Sequence, residues 1–104
     1  MQERAILVGL DLKRRRAAGA EPQADQPRPT PEDSLAELQA LARSAGASVV
    51  DQVIQSRTSP EAATLVGAGK VRELQHLVNG LEADVVLFDQ ELTPTQQRNL
   101  EKEL

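Results

Sequence analysis

The sequence predicts an α/β domain in which three strands alternate with three helices, in the order βαβαβα, around a parallel sheet. Two observations lead to this prediction. Short runs of apolar and β-branched residues alternate with longer segments whose apolar residues recur every three or four positions, a pattern typical of strands followed by amphipathic helices. Helices of this length connect parallel strands through right-handed crossovers. We therefore expect three layers, with strand order 2-1-3 and helices on both faces of the sheet.

The three predicted strands differ in polarity. Residues 4–10 and 83–89 form nearly continuous apolar runs, which are typical of strands covered on both faces. Residues 48–55 are interrupted by Asp51 and Gln52, which favours a position at the edge of the sheet. Because a third strand of the covered type would be exposed at an open edge, we expect a fourth strand beyond residue 104 in a longer protein.

Capping residues mark the ends of the predicted helices. Thr30 precedes a proline and two acidic residues, and Thr93 precedes a proline, with Gln96 three positions later. Each threonine is therefore predicted to begin a helix. Gly46 is predicted to end the first helix. The second helix follows a pair of glycines, and His76 falls outside its apolar stripe, so we expect this histidine at the surface.

Length and composition limit the possible functions. A chain of 104 residues corresponds to one domain. With no cysteine and one histidine, it can form neither a disulfide nor a thiolate or multi-histidine metal site. The net charge of −4 argues against indiscriminate binding of nucleic acid, and the single aromatic residue, Phe88, excludes an aromatic base-stacking platform. The lack of cysteine fits a reducing cytoplasm, the apolar runs are too short for a membrane span and no secretory signal is recognisable.

Positive charge is concentrated near the predicted carboxyl ends of the strands. Residues 13–29 begin with Lys-Arg-Arg-Arg and continue in Ala, Gly, Pro and Gln without apolar periodicity, which predicts a mobile loop. Loops at the carboxyl ends of parallel strands meet at one edge. The basic run is either a solvated charge cluster or an electrostatic contact with phosphate. The candidate phosphate contacts are Lys13, Arg14, Arg15, Arg16, Arg57 and Lys70.

A glycine loop, Gly67-Ala68-Gly69-Lys70, leads into the second helix. Its glycines allow a positive φ or the close approach of another group, and the helix start beside Lys70 is suited to an anion. The spacing does not fit a Walker A loop, because Thr64 stands where the first glycine is needed and Val71 where Ser or Thr would bind magnesium. The alternative function is nonetheless a small-ligand module that holds a nucleotide phosphate at this loop.

Carboxylates at the same strand ends allow a magnesium site in that alternative. Asp11, Asp89 and Glu91 follow the first and third apolar runs, and carboxylates with water are the ligands that Mg²⁺ prefers. We favour the simpler interpretation, in which these groups pair with basic neighbours or cap turns. In a third interpretation the glycines serve only to pack the loop against the helix, and the chain is a pure interaction domain.

Two stretches of the sequence resemble the N-terminal signatures of HflX-type GTPases. The first extends from residue 55 to residue 74 and the second from residue 88 to residue 101. The opening strand and the first helix fit as well, and only residues 13–29 fall outside the resemblance. The matching residues are Gln55, Arg57, Pro60, Thr64, Gly67, Gly69, Lys70, Asp89, Glu91, Pro94, Gln96, Arg98 and Asn99.

The resemblance implies a cytoplasmic translational GTPase that binds the large ribosomal subunit and splits or rescues stalled ribosomes under stress. In that family the region seen here is followed by a fourth strand, a pair of long helices and a P-loop GTPase domain that uses GTP and Mg²⁺. This chain has neither a Walker A loop nor an Asn-Lys-x-Asp motif.

We therefore expect residues 1–104 to be one non-catalytic N-terminal domain without a cofactor of its own. By resemblance, its tasks are docking on rRNA and communication with the GTPase domain of the same chain. The candidate phosphate contacts are then candidate RNA contacts, and among them the family signature covers Arg57 and Lys70. Reversing the charge at these two positions is expected to weaken binding to the large subunit.

Overall fold

A computed structural model of the protein describes residues 2–12 and 30–104. Strands and helices alternate along these residues, and both neighbours of the first strand run parallel to it. The strand order is β2-β1-β3, which confirms the predicted parallel sheet and its 2-1-3 order. The loop predicted over residues 13–29 lies outside the described residues. The elements are β1 (Arg4–Leu12), α1 (Pro31–Ser44), β2 (Ser48–Arg57), α2 (Ala68–Leu81), β3 (Val85–Phe88) and α3 (Pro94–Glu103).

The central strand β1 supplies the core of both faces of the sheet. Its residues 5–10 are all buried. The even-numbered side chains pack into a cluster that includes Leu74 of α2 and Leu100 of α3. On the opposite face, Gly9 lies against Leu35 of α1. Because successive strand residues point to opposite faces, α1 covers one face while α2 and α3 cover the other, as predicted.

The second and third strands differ in length from their predicted extents. β2 continues to Arg57, two residues past the predicted end, because β1 pairs with it as far as Leu12. The register shifts at Val50, which has no partner on β1, as in a β-bulge. β3 is four residues long, where residues 83–89 had been expected. Its backbone pairing with β1 stops after Phe88, because the next free donor of β1, the N–H of Leu10, binds the side chain of Asp89 and not a backbone carbonyl of β3.

β3 lies at the edge of the described sheet, and all four of its residues are only partly buried. An apolar groove of about 440 Å³ runs along this edge, between the end of α2 and the inner side of α3. A fourth strand on this edge stays a prediction. The apolar residues that line the groove are Val78, Ala83, Val85, Val86, Phe88, Leu92, Leu100 and Leu104.

The predicted helix starts are confirmed in atomic detail. The hydroxyl of Thr30 accepts a hydrogen bond from the N–H of Asp33, whose carboxylate accepts the N–H of Thr30 in return. Thr93 and Gln96 form the same reciprocal pair at the start of α3. Gly46, with φ +90°, follows α1 as predicted. None of the described helices combines the length and the apolar character that crossing a membrane requires.

The contact between β1 and α1 leads to a first prediction. Gly9→Val is expected to destabilise the domain by about 1–3 kcal/mol, because the space is already filled. A Cβ at residue 9 would stand 3.2 Å from Cγ and Cδ1 of Leu35. Leu35→Ala should relieve this crowding, so the double variant should lose less stability than the sum of the two single variants. Urea denaturation of the four proteins measures the coupling, and strictly additive losses would contradict it.

Candidate functional site

The carboxyl ends of the strands meet at one edge of the sheet, as the parallel topology predicts. At this edge Leu12 of β1 pairs with Arg57 of β2. The N–H of Leu10 donates to Oδ1 of Asp89 at 3.2 Å, and the amide of Gln90 donates to the Leu10 carbonyl, also at 3.2 Å. Leu12 is the residue that precedes the basic run in the sequence. Four of the candidate RNA contacts, Lys13, Arg14, Arg15 and Arg16, lie outside the described residues.

The first signature closes the end of β2 onto the start of α2. Oε1 of Gln55 accepts the N–H of Gly67 at 2.9 Å. A Cβ at residue 67 would lie 2.6 Å from Nη1 of Arg57, so glycine leaves the space that the guanidinium occupies. Gly67 has φ −68°, and close approach, not a positive φ, explains this glycine. Gly69 lies in the first turn of α2 with open space around it, and nothing in the structure explains the second glycine.

Arg57 and Lys70, the two described RNA-contact candidates, each pair with a glutamate of the same chain. Nε of Arg57 donates to the Ser59 carbonyl at 2.9 Å, and its Nη2 lies 3.6 Å from the Glu61 carboxylate. Nζ of Lys70 lies 2.6 Å from the Glu73 carboxylate. Both cations remain partly exposed, at 29% and 17% of the side-chain surface. The two glutamates are more exposed than their partners, at 45% and 50% of the side-chain surface.

Residues 58–66, which we call the signature loop, fold back onto the core. Leu65 is 3% exposed and belongs to the apolar cluster beneath α2 and α3. Its φ of +68° lies in the left-handed region that L-residues avoid. Glu61 and Leu65 exchange two backbone hydrogen bonds of 2.9 Å, and the N–H of Val66 donates to the Thr64 carbonyl at 2.8 Å. The exposed residues of the loop are Thr58, Ser59, Pro60, Ala62 and Ala63.

Two amide side chains of α3 bind the backbone of this loop. Nε2 of Gln96 donates to the Glu61 carbonyl at 3.0 Å, and Nδ2 of Asn99 donates to the Ala63 carbonyl at 2.9 Å. Oε1 of Gln96 accepts the N–H of Thr93, so the helix cap fixes the direction in which this amide donates. Gln96 is only 6% exposed. The two signatures, which are separate in the sequence, are therefore joined in one network of contacts.

Burial and hydrogen bonding offset the strain at Leu65. A left-handed conformation costs an ordinary residue about 1–2 kcal/mol. Burying a leucine side chain contributes about 1.5–3 kcal/mol, and each hydrogen bond adds about 0.5–1.5 kcal/mol. Sequence reasoning missed the anchoring role of Leu65. The available signal was the adjacent Leu65-Val66 pair in an otherwise small and polar segment.

Of the three candidate magnesium ligands, Asp11 and Asp89 each contact another group of the domain, and Glu91 is exposed. The hydroxyl of Ser56 lies 3.4 Å from the Asp11 carboxylate, and the Asp89 carboxylate accepts a hydrogen bond from the N–H of Leu10. Within residues 2–12 and 30–104, no group of three or more His, Cys, Asp or Glu is arranged to hold a metal ion. His76 is exposed, as predicted. Exposed positions are also taken by Pro60, Glu91, Pro94 and Arg98.

Asp89 is the basis of a prediction about pH. Burial raises the pKa of this carboxyl above its ordinary value, while hydrogen bonds from the backbone N–H groups of Leu10 and of Asp89 itself lower it by less. Because the pKa is higher in the folded chain, this group contributes most stability below its unfolded pKa. That contribution is lost as the pH rises through the folded pKa. Asp89→Asn retains an acceptor for Leu10 and cannot ionise, so its stability should improve relative to the parent as the pH rises through this range. Urea denaturation of both proteins between about pH 3 and about pH 7 tests this; a difference independent of pH would contradict it.

Known proteins resemble this chain over most of its length. The family described as GTP-binding GTPase N-terminal matches residues 32–104. GTPase HflX of Alkalihalophilus pseudofirmus is 49% identical over 72 residues, which are 69% of this chain and 17% of that protein. GTPase HflX of Thermococcus kodakarensis is 45% identical over 71 residues, 68% of this chain and 16% of that protein. GTPase HflX of Escherichia coli (strain K12) is 40% identical over 70 residues, 67% of this chain and 16% of that protein.

The chain spans about one sixth of the length of these curated relatives. The family match begins in α1 and includes both signatures, whose side chains meet in the network around the signature loop. On these grounds the chain belongs to the HflX family of GTP-binding proteins, and its α/β fold is the N-terminal domain of that family.

Proposed function

We propose that this domain docks an HflX-type GTPase on the large ribosomal subunit, within a cytoplasmic protein that splits or rescues stalled ribosomes under stress. The domain itself is non-catalytic in this proposal, and the carboxyl edge of its sheet faces rRNA. The observation that carries the proposal is the concentration of family signature residues at this edge. Gln55 and Arg57 close one side of the signature loop, and Gln96 and Asn99 hold the other.

The chemistry of this edge suits an RNA surface. The tip of the signature loop carries small and uncharged side chains, which allow the backbone to come close to a partner. Arg57 and Lys70 flank the loop with weakly paired positive charges. The run at residues 13–16 adds four positive charges with no acidic residue among them. Phosphate contacts of this kind position a protein on nucleic acid and make its affinity dependent on salt.

Co-sedimentation of this chain with purified large and small ribosomal subunits, at several salt concentrations, tests the proposal. We expect saturable binding to the large subunit that weakens as salt increases, and no comparable binding to the small subunit. Equal binding to both subunits, or no binding at low salt, would overturn the docking function.

Charge reversal locates the interface. Lys70→Glu should weaken large-subunit binding, and it also places a second carboxylate beside Glu73, which pairs with Lys70 in the parent. Arg57→Glu should weaken it further, partly because the guanidinium also fills the space beside Gly67. Arg43→Glu is a matched control, since Arg43 is exposed in the last turn of α1, away from the carboxyl ends of the strands.

A small-ligand module is the second candidate, and one observation favours it. The N-terminus of α2 has no side-chain cap and no acidic residue in its first turn, so its first amides suit an anion. We propose instead that GTP and Mg²⁺ bind outside this domain in the longer relatives. Titration of the chain with GTP, ATP and Mg²⁺ separates the two, because saturable micromolar binding would select the ligand module. Binding to neither ribosome nor nucleotide, but to the GTPase portion of a relative, would select a pure interaction domain.

A further inference from the structure

We propose that α3 is a latch for the signature loop. It holds residues 58–66 in a backbone conformation that this segment does not keep alone, so the position of α3 decides the shape that the loop presents. The inference rests on the proposed function in one respect, because it takes this loop to be the surface that faces RNA. The latch itself is a property of the isolated domain and can be measured without ribosomes.

The coupling depends on one carbonyl group that α3 and the loop share. The backbone carbonyl oxygen of Glu61 accepts a hydrogen bond from the N–H of Leu65, and this bond closes the loop. The same oxygen also accepts a hydrogen bond from Nε2 of Gln96 in α3. One turn further along α3, Asn99 holds the Ala63 carbonyl. α3 therefore contacts the signature loop at Glu61, where the loop closes, and at Ala63, in its middle.

The loop has a reason to open when these two contacts are lost. Leu65 is held at φ +68°, so the closed turn is strained at an ordinary residue. The contacts that the loop makes within itself are the Glu61–Leu65 pair and the short-range bonds of Thr64 and Val66. Without the amides of α3, two loop carbonyls lose a donor while the strain remains. We therefore infer that the closed loop opens far more often when α3 is displaced.

The place of α3 in the chain gives the latch a regulatory meaning. The family match describes the N-terminal part of a GTP-binding GTPase and extends through α3 to residue 104. The relatives are about six times longer than the matched stretch. In these relatives most of the protein lies outside the matched stretch. A change elsewhere in such a protein that shifts α3 would release or close the signature loop.

Amide hydrogen exchange on the isolated chain tests the latch. Gln96→Glu keeps the oxygen that caps α3 at Thr93 and removes the donor to Glu61. Asn99→Asp removes the donor to Ala63 in the same isosteric way. Gln97→Glu is the matched control, since Gln97 lies on the same helix and, among the described residues, its side chain hydrogen-bonds only to Glu101.

We expect the exchange rate of the Leu65 and Glu61 amides to rise by roughly three- to tenfold for each lost hydrogen bond. The amides of β1 and β2 should keep their protection, because exchange by local opening is confined to the segment that opens. In Gln97→Glu all of these amides should exchange as in the parent.

Unchanged Leu65 exchange in both α3 variants would overturn the latch, because the loop would then hold itself. Equal acceleration of the loop and of β1 in Asn99→Asp, whose side chain is half-exposed, would also overturn it, because the loop would then open only with the whole domain. Faster loop exchange without any ribosome binding by the parent chain would keep the latch and reject the docking function.

Discussion

Leu65→Ala is expected to lower the free energy of unfolding by about 2–5 kcal/mol, and Leu65→Gly is expected to be no less stable than Leu65→Ala. The first loss follows from the burial of Leu65 in the apolar cluster beneath α2 and α3. The second expectation reverses the usual order, in which glycine is worse than alanine because it loses more backbone freedom on folding. At φ +68° alanine keeps the strain, whereas glycine adopts this conformation readily and recovers about 1–2 kcal/mol.

Leu74 supplies the matched control for this comparison. It is fully buried in the same cluster, but it lies within α2. There Leu74→Gly should be less stable than Leu74→Ala by about 1 kcal/mol, the ordinary helix preference. Urea denaturation of the four variants gives the two differences. If the glycine variant has a lower free energy of unfolding than the alanine variant by the same amount at both positions, Leu65 does not have the left-handed conformation.

Neutralising the basic run by replacing Lys13, Arg14, Arg15 and Arg16 with Gln should give the largest loss of ribosome binding. Each phosphate contact that disappears should reduce the slope of log affinity against log salt by a little under one unit, roughly 0.7–0.9. If all four residues contact rRNA, the slope should fall by about three units, and the loss should be greatest at low salt. Stability should change little, because the run stands in a segment with no apolar pattern.

A comparison at equal charge separates contact from net charge. Arg14→Gln/Arg15→Gln removes two positive charges from the basic run. Arg4→Gln/Arg43→Gln removes two from the start of β1 and the last turn of α1, at the opposite edge of the sheet, where Arg4 pairs with Ser48 of β2. Only the first pair should reduce the salt slope in co-sedimentation. An equal reduction by both pairs would mean that the basic run acts through net charge alone, as a solvated cluster.

Most of the fold could be predicted because it depends on local patterns. Apolar runs and helical periodicity indicate which segments become strands and helices, and Thr30 and Thr93 specify where two helices begin through bonds that span three residues. Alternation of strands with helices then restricts the topology to a parallel sheet with its carboxyl ends at one edge. The predicted lengths of β2 and β3 were less accurate, since contacts distant in the sequence determine where each strand ends. Pairing with β1 extends β2, and the side chain of Asp89 ends the pairing of β3.

The sequence by itself determined the family, the order of elements and the edge at which the signature residues gather. Only the tertiary structure decided what those residues do. Gly67 was expected to allow either a positive φ or the close approach of another group, and the structure selects close approach, because this glycine makes room for Arg57. Within the signature loop the left-handed residue is Leu65, and two amides of α3 hold the turn around it. These contacts join residues about 35 positions apart. Their geometry depends on how α3 packs over the sheet, which local periodicity does not encode.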